Sequence, residues 1–169
     1  MKRVNVMAAL AALIAIGTLC SQFLWFPAGI AKAYPVQHAV NVIAAILFGP
    51  GPAVLAAFVM ALVRNMLGIG SLLAFPGGMI GALFAGILFR LSGRPSFAAI
   101  GEIIGTGIVA SLVAIPFAKF FMHTSFGVFF FMPSFLISSI SGAIIGLFLT
   151  VRLRKNVFST SRLTQFKKR

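Results

Sequence analysis

Apolar residues along this chain collect into six runs, separated by short interruptions that are polar or rich in glycine and proline. A helix needs about 20 mostly apolar residues to cross the hydrocarbon core of a bilayer. The pattern predicts membrane helices at residues 4–23, 36–48, 53–67, 72–89, 97–115 and 129–151, of which the second is the shortest. The sequence therefore predicts an all-α membrane protein, folded as a single bundle of six transmembrane helices.

The amino-acid composition supports a membrane protein and indicates whether its partner is lipid or nucleic acid. Of 169 residues, 60% are hydrophobic and only 9% are charged, whereas a soluble domain has about a quarter charged residues. Fourteen Lys and Arg face one acidic residue, Glu102, which gives a net charge of +13. Most of these basic residues flank apolar runs, which indicates a lipid bilayer with anionic headgroups as the partner and no nucleic acid.

The distribution of basic residues predicts the orientation. If six helices alternate in direction, eleven of the fourteen basic residues fall on one side, and the positive-inside rule makes that side cytoplasmic. Both termini are then cytoplasmic. Residues 1–152 are predicted to form one six-helix transmembrane domain and residues 153–169 a basic cytoplasmic tail. The other three basic residues fall at the outer side, each beside a proline-rich or glycine-rich interruption: Lys32, Arg64 and Lys119.

The most polar interruption lies at residues 64–81, which begin with Arg64-Asn65 and contain five glycines and Pro76. An arginine at membrane depth usually faces a partner, water or a ligand. Broken backbone at that depth is tolerated where it is buried in protein or lines a cavity. We interpret this stretch, which also contains Phe75, as a re-entrant or capping segment over a small-molecule site. An ordinary turn between two helices is the alternative.

A second interruption, at residues 24–35, contains the only tryptophan and the only tyrosine, Trp25 and Tyr34. Its prolines and glycine prevent a continuous helix. One interpretation is a loop that folds back over the same site and offers aromatic faces to a ring. The other is an aromatic pair anchored at the membrane interface.

Polar side chains also occur inside the apolar runs. The second run begins with three residues that share a helical face and need polar partners, Gln37, His38 and Asn41. Glu102 lies in the fifth run, where a carboxyl group is protonated, pairs with a cation or titrates during function. Its candidate cationic partners are Arg64 and Arg90. Structural contacts between helices would explain all of these groups equally well.

The end of the fifth run and the start of the sixth contain no candidate binding residues. Pro116 is expected to open a loop that contains His123 and Thr124, and residues 129–131, three phenylalanines, are expected to face lipid.

Small residues recur at helical spacing in the first run, at Ala8, Ala12 and Ala15. Such a ladder lets two helices approach closely. The fourth and sixth runs contain comparable ladders, so spacing alone does not single out the first: Gly77, Gly81 and Ala85; Ser138, Gly142 and Gly146.

Several enzyme classes are excluded by the sequence. It has no phosphate-binding Gly-x-x-x-x-Gly-Lys-Ser/Thr loop, and one acidic side chain cannot supply paired-carboxylate catalysis. Two histidines, one cysteine and one glutamate, scattered along the chain, give no metal framework. We therefore expect neither an enzyme nor a bound metal or cofactor, but a solute-binding transport protein or a structural membrane subunit.

Short motifs spread over nearly the whole chain carry a family resemblance. They are the small-residue first run, Trp25-Phe26-Pro27, Pro35-Val36-Gln37-His38 with Asn41, Arg64-Asn65 with Gly68-Ile69-Gly70, Leu73-Ala74-Phe75-Pro76-Gly77, and Gly101-Glu102-Ile103-Ile104-Gly105-Thr106-Gly107. Together they resemble the ThiW family, the membrane-embedded substrate-binding (S) components of energy-coupling factor (ECF) transporters for the thiazole precursor of thiamine.

The resemblance implies a six-helix S component in a prokaryotic cell membrane. Such a subunit captures hydroxyethylthiazole at the outer face and associates with a transmembrane coupling subunit and two cytoplasmic ATPases. It also implies that Ala8, Ala12 and Ala15 contact the coupling subunit.

The candidate binding residues follow from the ligand's chemistry. Its ring can stack on aromatic groups, and its nitrogen and hydroxyl can form hydrogen bonds. The candidates are Trp25, Tyr34, Gln37, His38, Asn41, Arg64, Asn65, Phe75 and Glu102. Two alternatives are another ligand, such as thiamine or hydroxymethylpyrimidine, and a proton-coupled secondary transporter that uses Glu102.

Overall fold

The structure, a computed structural model, describes residues 3–29, 31–123, 127 and 129–166. For residues 3, 31 and 153–166 only the backbone is described. Thr124, in the predicted loop after Pro116, and the two ends of the chain, 1–2 and 167–169, lie outside the described residues.

The described chain is almost entirely helical, and the predicted all-α membrane fold is confirmed. Four segments are long and apolar enough to cross a membrane: Val4–Phe23, Ala74–Ser92, Pro95–Phe121 and Met132–Arg152. The helices are α1 Arg3–Phe23, α2 Pro35–Phe48, α3 Pro50–Met66, α4 Ala74–Ser92, α5 Pro95–Glu102, a π-helix at Ile103–Ala110, α6 Ser111–Phe121 and α7 Met132–Phe166.

Helix α2 is short because it lies inside the bundle. Its 14 residues rise about 21 Å, less than the ~30 Å hydrocarbon core of a bilayer. It contacts α1, α3, α4, α5 and α7, and most of its residues are buried. A helix surrounded by protein need not match the thickness of the lipid, so α2 can hold polar side chains in the centre of the bundle.

Glycines bring the central helices into close contact. A Cβ atom added at Gly146 of α7 would lie 2.8 Å from the carbonyl oxygen of Ala39, and one at Gly105 would lie 2.9 Å from that of Ile80. Gly81 and Ala85 of the α4 ladder and Gly142 and Gly146 of the α7 ladder are thus internal packing positions. The ladder of α1 differs, because all three of its alanines are exposed: Ala8, Ala12 and Ala15.

The fifth segment corrects one prediction. No loop opens at Pro116, because α5, the π-helix and α6 follow one another without a break and α6 continues to Phe121 with Pro116 inside it. A proline removes only one backbone N–H from a helix, and neighbouring groups in a membrane bundle can compensate for the freed carbonyl. The segment ends near His123, which has a positive φ of 52°.

The interruption at residues 24–35 is non-helical, as predicted, but it forms a β-hairpin that the sequence did not predict. Strand β1, Phe26–Ala28, pairs antiparallel with β2, Ala31–Ala33. Two serines of α7 hold the hairpin. Ser134 Oγ donates to the Ala28 carbonyl at 2.6 Å, and the Tyr34 amide donates to Ser138 Oγ at 2.9 Å. The hairpin is therefore fixed over the first turns of α7.

The interruption at residues 64–81 is shorter than predicted. Helix α3 continues to Met66 and α4 begins at Ala74, so only residues 67–73 form a turn. Pro76 and three of the glycines are inside α4, where Pro76 occupies the first turn and its missing N–H is tolerated. This geometry is that of a short turn between two helices, the alternative considered from the sequence, and three residues of the turn line a cavity: Gly70, Ser71 and Leu73.

Candidate functional site

A cavity of about 230 Å³ lies where the hairpin, the turn at residues 67–73 and the ends of several helices meet. Its lining combines aromatic rings, hydroxyls, an imidazole, an amide and two cationic side chains. The lining residues are Lys32, Tyr34, Gln37, His38, Arg64, Gly70, Ser71, Leu73, Ala74, Gly77, Thr106, Phe131, Ser134, Phe135 and Ser138.

A continuous chain of hydrogen bonds connects this cavity to the interior of the bundle. A guanidinium can only donate, so the Arg64 Nη1–H group donates to Gln37 Oε1. The Gln37 amide nitrogen then faces His38 Nε2, at 3.0 Å, and donates to it. His38 Nε2 is therefore an acceptor, and the imidazole carries its proton on Nδ1. That Nδ1–H group donates to Glu102 Oε1 at 2.7 Å.

Glu102 is fully buried and accepts hydrogen bonds from three helical positions. Besides His38, Asn41 Nδ2 and Thr106 Oγ1 each lie 3.1 Å from its Oε1 atom. The two cationic partners considered from the sequence were wrong. Arg64 bonds to Gln37 instead, and the Arg90 guanidinium lies beside Gly49, at the turn between α2 and α3. The spacing of residues along the chain does not indicate that His38, 64 residues before Glu102, is its partner.

Helix α4 leaves room for this carboxylate because residue 81 is glycine. A Cβ atom at Gly81 would lie 2.7 Å from Glu102 Oε1 and 2.8 Å from Oε2. The neighbouring backbone also binds the polar cluster, since Asn41 donates to the Gly78 carbonyl at 3.1 Å. The single hydroxyl hydrogen of Thr106 lies between Glu102 Oε1 and the Gly77 carbonyl, with Thr106 Oγ1 3.1 Å from each acceptor. Polar side chains in the bundle interior are thus satisfied mainly by one another and by α4.

Arg64 is almost completely buried and lies against Tyr34. Its guanidinium carbon is 4.0 Å from the centre of the Tyr34 ring, which is a cation–π contact. It also donates to the Ile69 carbonyl at 3.4 Å, which ties α3 to the following turn. The structure thus brings four of the predicted site residues to the cavity wall: Tyr34, Gln37, His38 and Arg64.

The other predicted site residues lie outside the cavity lining. Asn65 donates to the carbonyls of Ala61 and Ser71, at 2.8 and 3.0 Å, and so holds the turn. Phe75 packs on Phe58 with ring centres 5.6 Å apart. Asn41 and Glu102 lie behind His38 and Thr106, and Trp25 lies under the Lys32 ammonium, 4.0 Å from its ring centre.

Helix α7 supplies part of the lining that sequence reasoning missed. We expected residues 129–131 to face lipid, and Phe129 is indeed 67% exposed, but Phe131 is 7% exposed and lines the cavity. Phe131, Ser134, Phe135 and Ser138 follow the i, i+3, i+4, i+7 spacing of one helical face. Two serines on that face of an apolar run were the signal that could have identified it.

The comparisons with known proteins decide the family. The model of the ThiW family, described as thiamine-precursor transporter protein, matches residues 7–156 of this chain. The chain belongs to the ThiW family. A search of curated proteins gives no match. The matched range contains every residue of the cavity lining, and ThiW is a family of transporters rather than enzymes. The apolar helices and the family together place this ThiW protein in a membrane, as a transporter of a small thiamine precursor.

Proposed function

We propose that this ThiW protein is the substrate-capture subunit of an ECF importer and that it binds hydroxyethylthiazole in the cavity beneath the hairpin. The observation that carries the proposal is the composition of the cavity wall. Tyr34, Phe131 and Phe135 offer aromatic faces, and Gln37 and Ser138 lie among them as hydrogen-bonding groups. A small heteroaromatic alcohol needs both kinds of contact.

The size of the cavity favours one ring over two. Pockets for drug-sized ligands usually enclose about 300–1,000 Å³, and this cavity encloses about 230 Å³. A single-ring precursor therefore fits better than the two-ring vitamin thiamine. Hydroxymethylpyrimidine is also a single ring and is the closest competing ligand.

The remaining parts of the proposal concern assembly and orientation. The sequence offers no site for ATP, so we propose that a transmembrane coupling subunit and two cytoplasmic ATPases supply the energy. We propose that the exposed face formed by Ala8, Ala12 and Ala15 contacts the coupling subunit, since small residues allow close helix approach. Both termini are then cytoplasmic, and the cavity opens at the outer face of a prokaryotic cell membrane.

The buried His38–Glu102 pair favours one alternative, a secondary transporter that moves a proton with its substrate. Energy dependence separates the two functions.

Uptake of labelled hydroxyethylthiazole tests this proposal in cells that lack their own thiazole uptake. We expect uptake only when this chain is expressed together with the coupling subunit and both ATPases, and none when the phosphate-binding lysine of the ATPases is replaced. Excess unlabelled hydroxymethylpyrimidine should not compete. Uptake by this chain alone, driven by a pH gradient in vesicles, would instead establish the secondary transporter.

A further inference from the structure

The cavity has more positive charge than a neutral thiazole alcohol requires. Lys32 and Arg64 both line it, one from the hairpin and one from α3. The whole sequence contains a single acidic side chain, Glu102. The charge balance of the cavity therefore depends on what Glu102 contacts.

Glu102 forms its hydrogen bonds with side chains other than the two cations of the cavity. Its Oε1 atom receives the His38, Asn41 and Thr106 hydrogen bonds, and it forms no salt bridge with Arg64. The imidazole next to it is neutral, because His38 Nε2 accepts from Gln37.

Arg64 has only neutral partners within the described part of the chain. These are the Gln37 side-chain oxygen, the Ile69 carbonyl and the Tyr34 ring. Its Nε atom is buried and forms no hydrogen bond to any described group. A buried guanidinium is unfavourable unless an anion and further hydrogen bonds compensate for its lost hydration. Arg64 is 1% exposed, so bulk water does not supply that compensation.

Lys32 and Ser138 add a second cation and a hydroxyl to the cavity wall that contains Arg64. The Lys32 ammonium lies over the Trp25 ring and, within the described part, forms no salt bridge. Ser138 Oγ accepts the Tyr34 amide, which leaves its hydroxyl hydrogen to donate into the cavity. Two cations, one buried and one exposed, and a hydroxyl donor therefore line one cavity.

We propose that these groups form an anion subsite, so that a thiazole ligand with a carboxylate or phosphate-monoester group binds more tightly than the neutral alcohol. This inference rests on the proposed function and specifies its substrate. The anion would bind between Arg64 and Lys32, with the ring against Tyr34 and the phenylalanines of α7. A planar guanidinium suits this task, since it donates paired hydrogen bonds to carboxylate or phosphate oxygens.

Three probes that share one ring test the proposal by calorimetry on the purified full-length protein in lipid nanodiscs. They are hydroxyethylthiazole, the matched acid in which the hydroxymethyl carbon is oxidised to a carboxylate, and the phosphate monoester of the alcohol. We expect at least one anion to bind roughly tenfold or more tightly than the alcohol, because charged hydrogen bonds are stronger than neutral ones. That advantage should shrink at high salt, whereas the affinity of the alcohol should not change. The tighter of the two anions identifies the source of the charge.

Variants locate the subsite. Arg64→Gln and Lys32→Gln should each remove most of the anion's advantage, measured as the ratio of the anion's affinity to the alcohol's affinity on the same variant. Lys119→Gln is the control, because Lys119 is an exposed lysine outside the cavity lining and its loss changes the net charge equally. If Arg64→Gln does not fold, Lys32→Gln still tests the proposal, since Lys32 is exposed on the hairpin.

The possible outcomes distinguish a failure of the anion subsite from a failure of the proposed function. If the alcohol binds and neither anion binds more tightly, the anion subsite is wrong and the proposed function stands. If an anion binds tightly but neither cavity variant differs from Lys119→Gln, the anion lies elsewhere and the inference is again wrong. If none of the three probes binds, both the inference and the proposed function fall.

Discussion

Replacing Gly81 with alanine is expected to destabilise the bundle by about 1–3 kcal/mol, the usual range for overpacking a core. The new methyl group would overlap Thr106 Oγ1 and lie 2.7 Å from Glu102 Oε1, so it would displace the hydroxyl and the carboxylate that hold the polar cluster together. Glu102 is fully buried, so the carboxylate has no solvent to move into. Thermal unfolding of the detergent-solubilised protein measures the effect.

Gly77→Ala is the matched control, one turn earlier on the same helix. A Cβ atom at Gly77 meets only the edge of the Phe135 ring, at 3.6 Å, which is an ordinary contact. Alanine is also the better helix former, so this variant should be as stable as the native protein or up to about 1 kcal/mol more stable. Equal unfolding temperatures for the two variants would show that Glu102 does not pack against α4 as described.

Replacing Ala12 with tryptophan is expected to abolish uptake and leave ligand binding to the isolated protein intact. Ala12 is exposed on α1, in the middle of the alanine face that we propose contacts the coupling subunit. A large side chain there would keep the two helices apart, but it would not reach the cavity, which α1 does not line. Uptake in cells and calorimetry on the purified variant give the two readouts.

Ile144→Trp controls for a bulky residue in the membrane. Ile144 is 61% exposed, on α7. Its replacement should leave both uptake and binding unchanged. Loss of binding in Ala12→Trp would show that the alanine face is internal, and equal loss of uptake in both variants would show that the effect is not specific to α1.

The features that sequence predicted well are those that depend on local composition. The length of the apolar runs predicted α1, α4 and the apolar part of α7. Proline and glycine residues predicted the break in the helix before α2. Polar residues in an apolar chain also gave useful signals. Gln37, His38 and Arg64 stood out because a membrane helix rarely contains such groups without a partner, and the cavity brings them together.

The features that sequence missed depend on contacts between distant elements. The partner of Glu102 is His38, whose identity follows from how α2 packs against α5, and no spacing rule reports that packing. The fifth segment continues through Pro116 and includes a run of π-helix, and composition alone indicates neither feature. Asn65 and Phe75, predicted as ligand groups, lie outside the cavity lining; Asn65 holds the turn and Phe75 packs on Phe58 of α3.

Replacing a cavity-lining glycine with a larger residue tests the central claim, that this ThiW protein binds its thiamine precursor beneath the hairpin. Gly77 lines the cavity and has room for a Cβ atom, so a leucine there projects into the space for the ligand. Gly51→Leu is the control, because a Cβ at Gly51 meets nothing within 4 Å and the residue is far from the cavity lining. Both variants should be purified alongside the native protein and shown to unfold at similar temperatures.

The deciding measurement is the affinity of these three proteins for hydroxyethylthiazole, with its anionic analogues as parallel ligands, by isothermal titration calorimetry. We predict that the native protein and Gly51→Leu bind with the same affinity and that Gly77→Leu, although folded, shows no measurable binding. Native affinity in Gly77→Leu would contradict the account, because the ligand would then occupy a site other than this cavity.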